Sequence, residues 1–342
     1  MVASAAAAAV LPPLPPLPHL FGPGEAAPPR PSRPPVPKCT ALTGERGRDR
    51  VQSVFPCDFP DPSVLKVGKT WYAYSTATGW EHQGRSMPIL RSTDFRHWRS
   101  AGDAIGATPR WVRDDVWAPT VIATRHGYIL YFSARRARGN VHCLVAATSR
   151  RPAGPFRVRA PLSCGDRSAR GYIDPAPVRD RRGRIFLYFS VDGPHHSISV
   201  LPLSRDGVHL AGRRHELFRV SHRWQRGLDS STVEGPSPVW HHGRLFLFYS
   251  TGSWVSDYRM GYATARSPLG PFRDYGRNPI LRPGRSLIGP GGGTIFTGPH
   301  GSTWLAFHAW TGAAGYTRGG QRTLRMAPVR WSGDRARVDL GP

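Results

Sequence analysis

The chain has 342 residues, including 38 glycines, 35 prolines, 11 tryptophans and 11 tyrosines. Abundant turn residues and large aromatic rings favour β structure, and one large all-β domain closed around an axis accommodates this length. The formal net charge is +25, and no run after residue 38 reaches the roughly 18 apolar residues that span a bilayer, so we expect no membrane span.

The N-terminal segment differs in composition from the rest of the chain. An alanine-rich stretch from Ala3 to Val10 leads into a run of leucine and proline, which predicts disorder or polyproline structure. This start is typical of an export signal, but it lacks basic residues and prolines interrupt it. We expect residues 1–50 to form a leader, either a signal remnant or a flexible arm, residues 51–342 to form the folded domain, and the protein to be secreted.

Arginine accounts for nearly all of the positive charge, since Lys38, Lys66 and Lys69 are the only lysines among 47 basic residues. A surface that binds nucleic acid, an acidic polysaccharide or an anionic cell surface would explain this excess. The alternative is an arginine-rich solvated surface. We favour that alternative and expect no nucleic-acid partner, because the arginines cluster in hairpin-like segments such as 135–138 and 179–184 without a nucleic-acid-binding motif.

The chain has four cysteines, and none has the C-x-x-C spacing typical of zinc sites or thioredoxin-like motifs. A pair of Cys39 with Cys57 would fix the N-terminal arm, and a pair of Cys143 with Cys164 would bridge one structural repeat. Buried free thiols are the alternative.

One sequence pattern recurs five times between residues 61 and 308. An acidic or aromatic residue, a proline and a β-branched residue precede a glycine-containing turn and an aromatic-rich strand that ends in a small or polar residue. The fifth copy is degenerate. Anchored on the β-branched residue, the copies lie 57, 57, 61 and 56 residues apart, at Val64, Val121, Val178, Val239 and Ile295.

Two further short strands follow each aromatic strand, so each repeat predicts a four-stranded antiparallel meander. A unit of this size cannot bury both of its faces alone, but five units can pack radially around a central channel. We therefore expect an all-β, five-bladed β-propeller with very little helix. A β-sandwich, the runner-up, does not explain the period.

Three acidic residues lie three to five positions before the anchor of their own repeat, on blades 1, 3 and 4: Asp61, Asp174 and Glu234. The first strand of each blade is nearest the axis, so equivalent positions should meet at one mouth of the channel. An aspartate before proline often only opens a turn. Because all three acids share one repeat position, we interpret them as one functional site.

Grouped carboxyl groups suit the hydrolysis of a glycosidic bond. One carboxylate can activate a water or attack the anomeric carbon, while a second carboxylic acid protonates the leaving oxygen. A third acid can tune the other two, because crowding and burial raise the pKa of a carboxyl group towards neutrality.

Five short motifs resemble the signatures of glycoside hydrolase family 43, in the expected order over residues 54–332. They are Asp61-Pro62-Ser63-Val64, Trp117-Ala118-Pro119, Ile173-Asp174-Pro175, Val233-Glu234-Gly235-Pro236-Ser237 and Phe307-His308-Ala309-Trp310. The resemblance implies an inverting hydrolase of α-L-arabinofuranosides or β-D-xylosides. It also implies that Asp61 is the general base, that Glu234 is the general acid, and that Asp174 orients the acid and modulates its pKa.

The resemblance also implies roles for residues around the acids. His308 would help to hold a calcium ion in the channel through water, although a core histidine is the alternative and no cofactor is expected to be required. Arg322 or Arg325 would donate to sugar hydroxyls. Trp117 and Trp80 could stack on a sugar face or simply pack against the protein.

The sequence departs from the family pattern in the fifth repeat, at Gly289-Pro290-Gly291-Gly292-Gly293-Thr294. This leaves substrate preference, and exo versus endo action, open. We expect a secreted, monomeric enzyme that cleaves α-L-arabinofuranosyl linkages of plant cell-wall arabinan or arabinoxylan. The alternatives are a β-D-xylosidase on the same scaffold, a non-catalytic carbohydrate-binding propeller and a polyanion-binding protein.

Overall fold

A computed structural model describes residues 51, 53–76, 87–165, 170–285 and 287–341. Nearly all regular structure in these ranges is β-strand, with three single-turn 3₁₀ helices at Arg223–Gln225, Pro299–Gly301 and Tyr316–Arg318. None of the helices found there is long and apolar enough to cross a membrane. The scarcity of helix agrees with the absence of 3.6-residue periodicity in the sequence.

The first two blades follow the initial strand β1 (Ser53–Asp58). Blade 1 consists of β2 (Ser63–Val67), β3 (Thr70–Tyr74), β4 (Pro88–Ser92) and β5 (Arg99–Asp103). Blade 2 consists of β6 (Val112–Thr124), β7 (Gly127–Arg136), β8 (His142–Ser149) and β9 (Arg157–Cys164).

The remaining three blades follow in chain order. Blade 3 consists of β10 (Gly171–Arg179), β11 (Ile185–Asp192), β12 (Ser197–Leu203) and β13 (His215–Arg219). Blade 4 consists of β14 (Val233–His241), β15 (Arg244–Thr251), β16 (Arg259–Ala265) and β17 (Arg273–Asp274). Blade 5 contains β18 (Ile288–Thr297), β19 (Thr303–Thr311), β20 (Gln321–Ser332) and β21 (Arg335–Val338).

The two ends of the described chain meet in blade 5. Strand β1 pairs antiparallel with β20, with Ser53 opposite Arg325, and β21 pairs with the far end of the same strand. The N-terminal strand thus closes the ring of blades, which confirms the five-bladed propeller. One detail differs from separate four-stranded sheets: blades 2 and 3 are joined by a parallel pairing of His142 with Gly171.

The core consists of five hydrophobic clusters, each between two neighbouring blades. Between blades 1 and 2, for example, Tyr74 and Ile89 pack with Leu130 and Phe132, all fully buried. The middle strands are apolar on both faces because each face meets a different blade. Full burial of one such side chain contributes about 1.5–3 kcal/mol, so adjacent blades stabilise one another.

A disulfide between Cys143 and Cys164 joins β8 to β9, which confirms the predicted bridge within blade 2. Cys57 is also disulfide-bonded. Its predicted partner, Cys39, lies outside the described residues.

In every blade, an equivalent residue in or just before the innermost strand has a left-handed backbone conformation. These residues are Asp61, Ala118, Asp174, Gly235 and Gly292, with φ angles of 49°, 48°, 57°, 60° and 57°. In blades 2 to 5 the left-handed residue lies where the strand register shifts, at a β-bulge. The bulge turns the peptide N–H of this residue away from its own sheet.

Each of these N–H groups donates instead to a polar side chain of the preceding blade. Asp174 donates to Ser133 Oγ at 3.0 Å, Gly235 to Ser190 Oγ at 3.1 Å and Gly292 to Ser250 Oγ at 2.9 Å. Ala118 donates to Thr76 Oγ1 at 2.9 Å, and Asp61 closes the ring by donating to His308 Nδ1 at 3.1 Å. We call these five hydrogen bonds the inter-blade ring.

The ring should contribute measurably to stability. Ser250→Ala leaves the Gly292 N–H without its acceptor, and we expect the free energy of unfolding to fall by about 1–3 kcal/mol. Ser221 is exposed, so Ser221→Ala serves as the control and should unfold like the wild type. Denaturant unfolding followed by tryptophan fluorescence measures both. Equal stability of the two variants would contradict a structural role for the ring.

Candidate active site

The inter-blade ring places two of the three predicted acids in the same register and the third one residue away. Asp61 and Asp174 are themselves the left-handed residues of blades 1 and 3, whereas Glu234 precedes the left-handed Gly235 of blade 4. The expectation of one shared repeat position is therefore wrong by one residue for Glu234. Its register equivalent is Trp117, which precedes Ala118 in blade 2.

The carboxylate of Asp61 is held by groups from three blades. Thr76 Oγ1 of its own blade donates to Oδ2 at 2.6 Å. Arg322 Nη1 of blade 5 lies 3.5 Å from Oδ1. The Ala118 N–H of blade 2 donates to Thr76 Oγ1 and so holds the hydroxyl group that contacts Asp61. The Asp61 side chain keeps 24% of its surface exposed, so a water or substrate can reach it.

Glu234 lies in surroundings that favour its neutral form. Desolvation, followed by the negative charge of Asp174, raises the pKa of Glu234 to about 8. The Tyr258 hydroxyl donates to Oε1 at 2.7 Å and partly opposes this rise, because the hydrogen bond stabilises the carboxylate. Near neutral pH Glu234 therefore carries a proton that it can donate.

Asp174 links the two other acids. Its Oδ2 accepts the Gly235 N–H at 2.9 Å and the Ser190 hydroxyl at 3.0 Å, which fixes the backbone next to Glu234. Desolvation, and then the charge of Asp61, raise the pKa of Asp174 as well. Asp174 thus touches the peptide that follows Glu234, and the two groups influence each other's protonation.

His308 is a member of the inter-blade ring. Because its Nδ1 accepts the Asp61 N–H, the hydrogen of the neutral ring is on Nε2. Burial, and then the charge of Arg322, lower the pKa of His308 to about 3, so the ring stays neutral. It also stacks on Tyr258, with ring centroids 5.8 Å apart.

This tautomer does not fit a direct bond from His308 to a channel cation, because Nε2 carries a hydrogen rather than a free lone pair. Nε2 is buried without a hydrogen-bond partner among the described residues, so it can donate to a water molecule. Within the same ranges, no three His, Cys, Asp or Glu side chains group as metal ligands. The water-mediated calcium stays a prediction.

The two candidate arginines have different surroundings. Arg325 is fully buried and donates to Thr311 Oγ1 at 3.0 Å, inside the blade. Arg322 lies beside Asp61, and its Nε donates to the Tyr316 hydroxyl at 2.8 Å. We therefore keep Arg322 as the sugar-binding candidate and assign Arg325 to packing.

The predicted stacking residues are only partly placed. Trp117 is half-buried at the channel mouth and stacks on His142, with ring centroids 4.6 Å apart. Trp80 lies outside the described residues.

The sequence prediction missed two aromatic residues near Asp61. Trp254 and Tyr316 are 41% and 38% exposed, and the Arg322 guanidinium lies over their rings at 5.0 and 5.4 Å. They come from the loops that follow the second strands of blades 4 and 5. Trp80 follows the aromatic strand of the first repeat in the sequence, so the same reasoning by repeat position could have identified Trp254.

The glycine-rich departure in blade 5 has a steric explanation. A Cβ on Gly291 would lie 2.1 Å from the Tyr258 ring, and a Cβ on Gly292 would lie 2.7 Å from Asp61 Oδ1. Side chains at these positions would displace Tyr258 from Glu234 and crowd Asp61. The glycines therefore allow Tyr258 to reach the acid.

A family model for glycosyl hydrolases family 43 matches residues 52–336. The fold and the acid cluster agree with this match, and the chain belongs to glycosyl hydrolase family 43.

Individual relatives differ in the sugar that they are named for. The chain is 26% identical over 271 residues to a β-D-galactofuranosidase of Aspergillus niger, covering 75% of each protein. It is also 26% identical over 261 residues to an extracellular endo-α-(1→5)-L-arabinanase of Bacillus subtilis, covering 70% of this chain and 77% of the relative. The family membership identifies a glycosidase, and the relatives leave its sugar open.

Solved structures show the same fold. A thermostable family-43 glycoside hydrolase superposes with a TM-score of 0.74 at 27% identity, over 89% of this chain and 96% of the other. An α-L-arabinanase of Cellvibrio cellulosa, complexed with arabinohexaose, superposes with a TM-score of 0.64 at 21% identity, over 82% and 95%. At that lower identity the likeness concerns the fold alone.

Two substitutions should move the pKa of Glu234 in opposite directions. Asp174→Asn removes a negative charge yet keeps an oxygen that can accept the Gly235 N–H, so the pKa should fall. Tyr258→Phe removes the donor to the carboxylate, so the pKa should rise. The chain has only five glutamates, and ¹³C NMR of labelled glutamate carboxyls can follow the titration, which should have its midpoint near 8 in the wild type.

Glu216 is an internal control because it lies on the outer strand of blade 3 and should titrate identically in all three proteins. If the Glu234 midpoint were the same in Asp174→Asn as in the wild type, the electrostatic coupling inferred between these two acids would be wrong.

Proposed function

We propose that the enzyme is an inverting hydrolase of α-L-arabinofuranosyl linkages, with Asp61 as general base and Glu234 as general acid. The observation that carries this proposal is the contrast between the two carboxyl groups. Asp61 is partly exposed, so water can reach it, and it lies beside the guanidinium group of Arg322. The desolvated Glu234 lies beside another acid, which favours the protonated form.

The reaction follows from this contrast. Asp61 accepts a proton from a water molecule while the water oxygen attacks the anomeric carbon. Glu234 gives its proton to the leaving oxygen as the glycosidic bond breaks. The proton lost by the attacking water is thus matched by the proton gained by the leaving group. Proton exchange with solvent then restores Asp61 as a carboxylate and Glu234 as an acid.

Asp174 acts on Glu234 in two ways. Its charge holds the pKa of Glu234 up, and its hydrogen bond to the Gly235 N–H fixes the direction in which the Glu234 side chain leaves the strand. Ser190 and Ser133 hold Asp174 through its carboxylate and its backbone N–H.

The remaining polar and aromatic residues would bind sugar. Arg322 can donate to a hydroxyl group next to Asp61, because its Nη1 is 3.5 Å from that carboxylate and its other contacts are to Tyr316 and Trp254. The exposed rings of Trp254 and Tyr316 lie next to Arg322 and suit stacking on a further sugar ring.

The arabinose assignment is supported by relatives named as arabinanases and as an arabinofuranosidase from Bacillus, Thermotoga and Cellvibrio, all named extracellular. The same names support secretion of this chain. A second candidate activity is supported by the relative named a β-D-galactofuranosidase, which would share a five-membered sugar ring with an arabinofuranoside.

A substrate panel tests the specificity. We expect nitrophenyl α-L-arabinofuranoside and linear arabinan to be hydrolysed at least tenfold faster than nitrophenyl β-D-xyloside and β-D-galactofuranoside, since about 1–3 kcal/mol separates well-fitting sugars from misfitting ones. Released sugar, sized by chromatography, also separates exo from endo action. Preference for the xyloside or the galactofuranoside would overturn the arabinose assignment but leave the glycosidase intact.

Leaving-group dependence tests the two roles separately. Asp61→Asn should lower kcat by about 10²–10⁴-fold on every substrate, because the water is no longer activated. Glu234→Gln should lower kcat as strongly on an arabino-oligosaccharide but far less on a dinitrophenyl arabinofuranoside, whose leaving group needs no proton. The surface variant Glu216→Gln is the control and should retain wild-type kcat. An equal loss on both substrates in Glu234→Gln would contradict its role as the acid.

A further inference from the structure

A large basic cleft lies between blades 2 and 3, away from the acids. It has a volume of about 1770 Å³. Blade 2 lines it with the turn between β6 and β7, the turn after β8 and the start of β9, and blade 3 lines it with the end of β10 and the turn after β12. Asp174 is near the start of β10, whereas the cleft residue Arg179 is its last residue. Five residues of strand span on the order of 15 Å, so the cleft opens on the opposite end of the propeller from the active site.

Seven arginines line this cleft, and all of them are exposed. None forms an ion pair with a carboxylate of the described residues. Blade 2 contributes Arg125, Arg150, Arg151, Arg157 and Arg159, and blade 3 contributes Arg179 and Arg205. Unpaired guanidinium groups in one concavity repel each other and together create a strongly positive potential.

The single acidic residue that lines the cleft, Asp206, offsets only one of the seven positive charges. Asp206 accepts the Ser204 hydroxyl and the Val208 N–H, and it contacts His209 Nδ1 at 2.7 Å. These hydrogen bonds lower the pKa of Asp206 to about 2 and occupy its oxygens within its own turn. The neighbouring Gly207 carbonyl accepts the buried Tyr131 hydroxyl at 2.7 Å, which fixes this turn beneath the arginines.

Size and lining together indicate the class of ligand. The cleft exceeds the roughly 300–1,000 Å³ of common small-molecule pockets, so it can take several units of a chain. Single-stranded nucleic acid is usually bound by aromatic side chains that stack on bases, and Tyr128 is the single Phe, Tyr or Trp that lines the cleft. Guanidinium groups match carboxylates through paired, charge-assisted hydrogen bonds.

We propose that this cleft binds an acidic polysaccharide chain, with its uronate carboxylates paired to the arginines of blades 2 and 3. Such binding would hold the enzyme on an acidic matrix while the opposite end of the propeller stays free for hydrolysis. The proposal concerns a site separate from the carboxyl groups and does not depend on the sugar that those groups cleave.

Two matched triple variants of the full chain test the cleft. The cleft variant is Arg150→Ser, Arg157→Ser and Arg205→Ser. The control variant, Arg96→Ser, Arg99→Ser and Arg277→Ser, removes the same charge from exposed arginines that do not line the cleft. The probes are polygalacturonate, neutral debranched arabinan and a single-stranded oligothymidylate, each titrated calorimetrically at low and moderate salt.

We expect the wild type to bind polygalacturonate with an affinity that falls as salt is added, because the contacts are ionic. The cleft variant should bind it at least about tenfold more weakly, since it lacks three of the guanidinium groups that would pair with carboxylates. The control variant should stay within about threefold of the wild type, and both variants should retain wild-type hydrolysis of the nitrophenyl arabinofuranoside.

Equal weakening in the two variants would show that net charge rather than the cleft attracts the polymer, and would overturn the proposal. So would an absence of polygalacturonate binding by the wild type, or tighter binding of the oligothymidylate than of polygalacturonate. If the wild type does not hydrolyse the nitrophenyl arabinofuranoside, the proposed function is wrong. The calorimetric binding data for the cleft still test the present proposal.

Discussion

The inter-blade ring of hydrogen bonds is the constraint from which the active site follows. Each bulge turns one peptide N–H towards a polar side chain of the preceding blade, and burial makes an unpaired N–H costly. The five blades are therefore held in a fixed rotational register around the channel. Because Asp61 and Asp174 are themselves left-handed residues whose N–H groups donate within the ring, the same bonds that lock the blades also position the acids.

A left-handed conformation at Asp61 and Asp174 carries strain for residues with a side chain, although aspartate tolerates it better than most residue types. Blades 4 and 5 use glycine at the same position, where the conformation is less strained. In blade 4 this moves the functional side chain one residue towards the N-terminus, to Glu234. The side chains of the acid and the base thus start one residue apart in register and have different surroundings.

His308 shows how structure and chemistry are joined in this ring. Four blades supply a hydroxyl group as the acceptor, and blade 5 supplies an imidazole that stays neutral because it is buried beside Arg322. A hydroxyl could accept the Asp61 N–H equally well, but the imidazole also presents a ring to Tyr258, which in turn donates to Glu234. One residue thus connects the base to the acid through packing.

The repeat in the sequence was sufficient to predict the propeller, the number of blades, the bridge from Cys143 to Cys164 and the convergence of the three acids. It could not show the one-residue offset of Glu234, because the offset depends on where the bulge lies and not on the spacing of the anchors. The role of His308 as an acceptor was also beyond the sequence, since its partner is 247 positions away. The net charge indicated a basic surface, but only the fold shows that arginines from five separate segments line one cleft.

The stereochemistry of the first product tests the proposed pairing of Asp61 and Glu234 most directly. ¹H NMR of the anomeric proton, recorded within the first minutes of arabinofuranoside hydrolysis, distinguishes the two outcomes before mutarotation mixes them. A water activated by Asp61 on the face opposite to Glu234 gives the β-anomer of arabinose from an α-linked substrate. Initial release of the α-anomer would mean that a carboxylate attacks the sugar itself, and would contradict the roles assigned to Asp61 and Glu234.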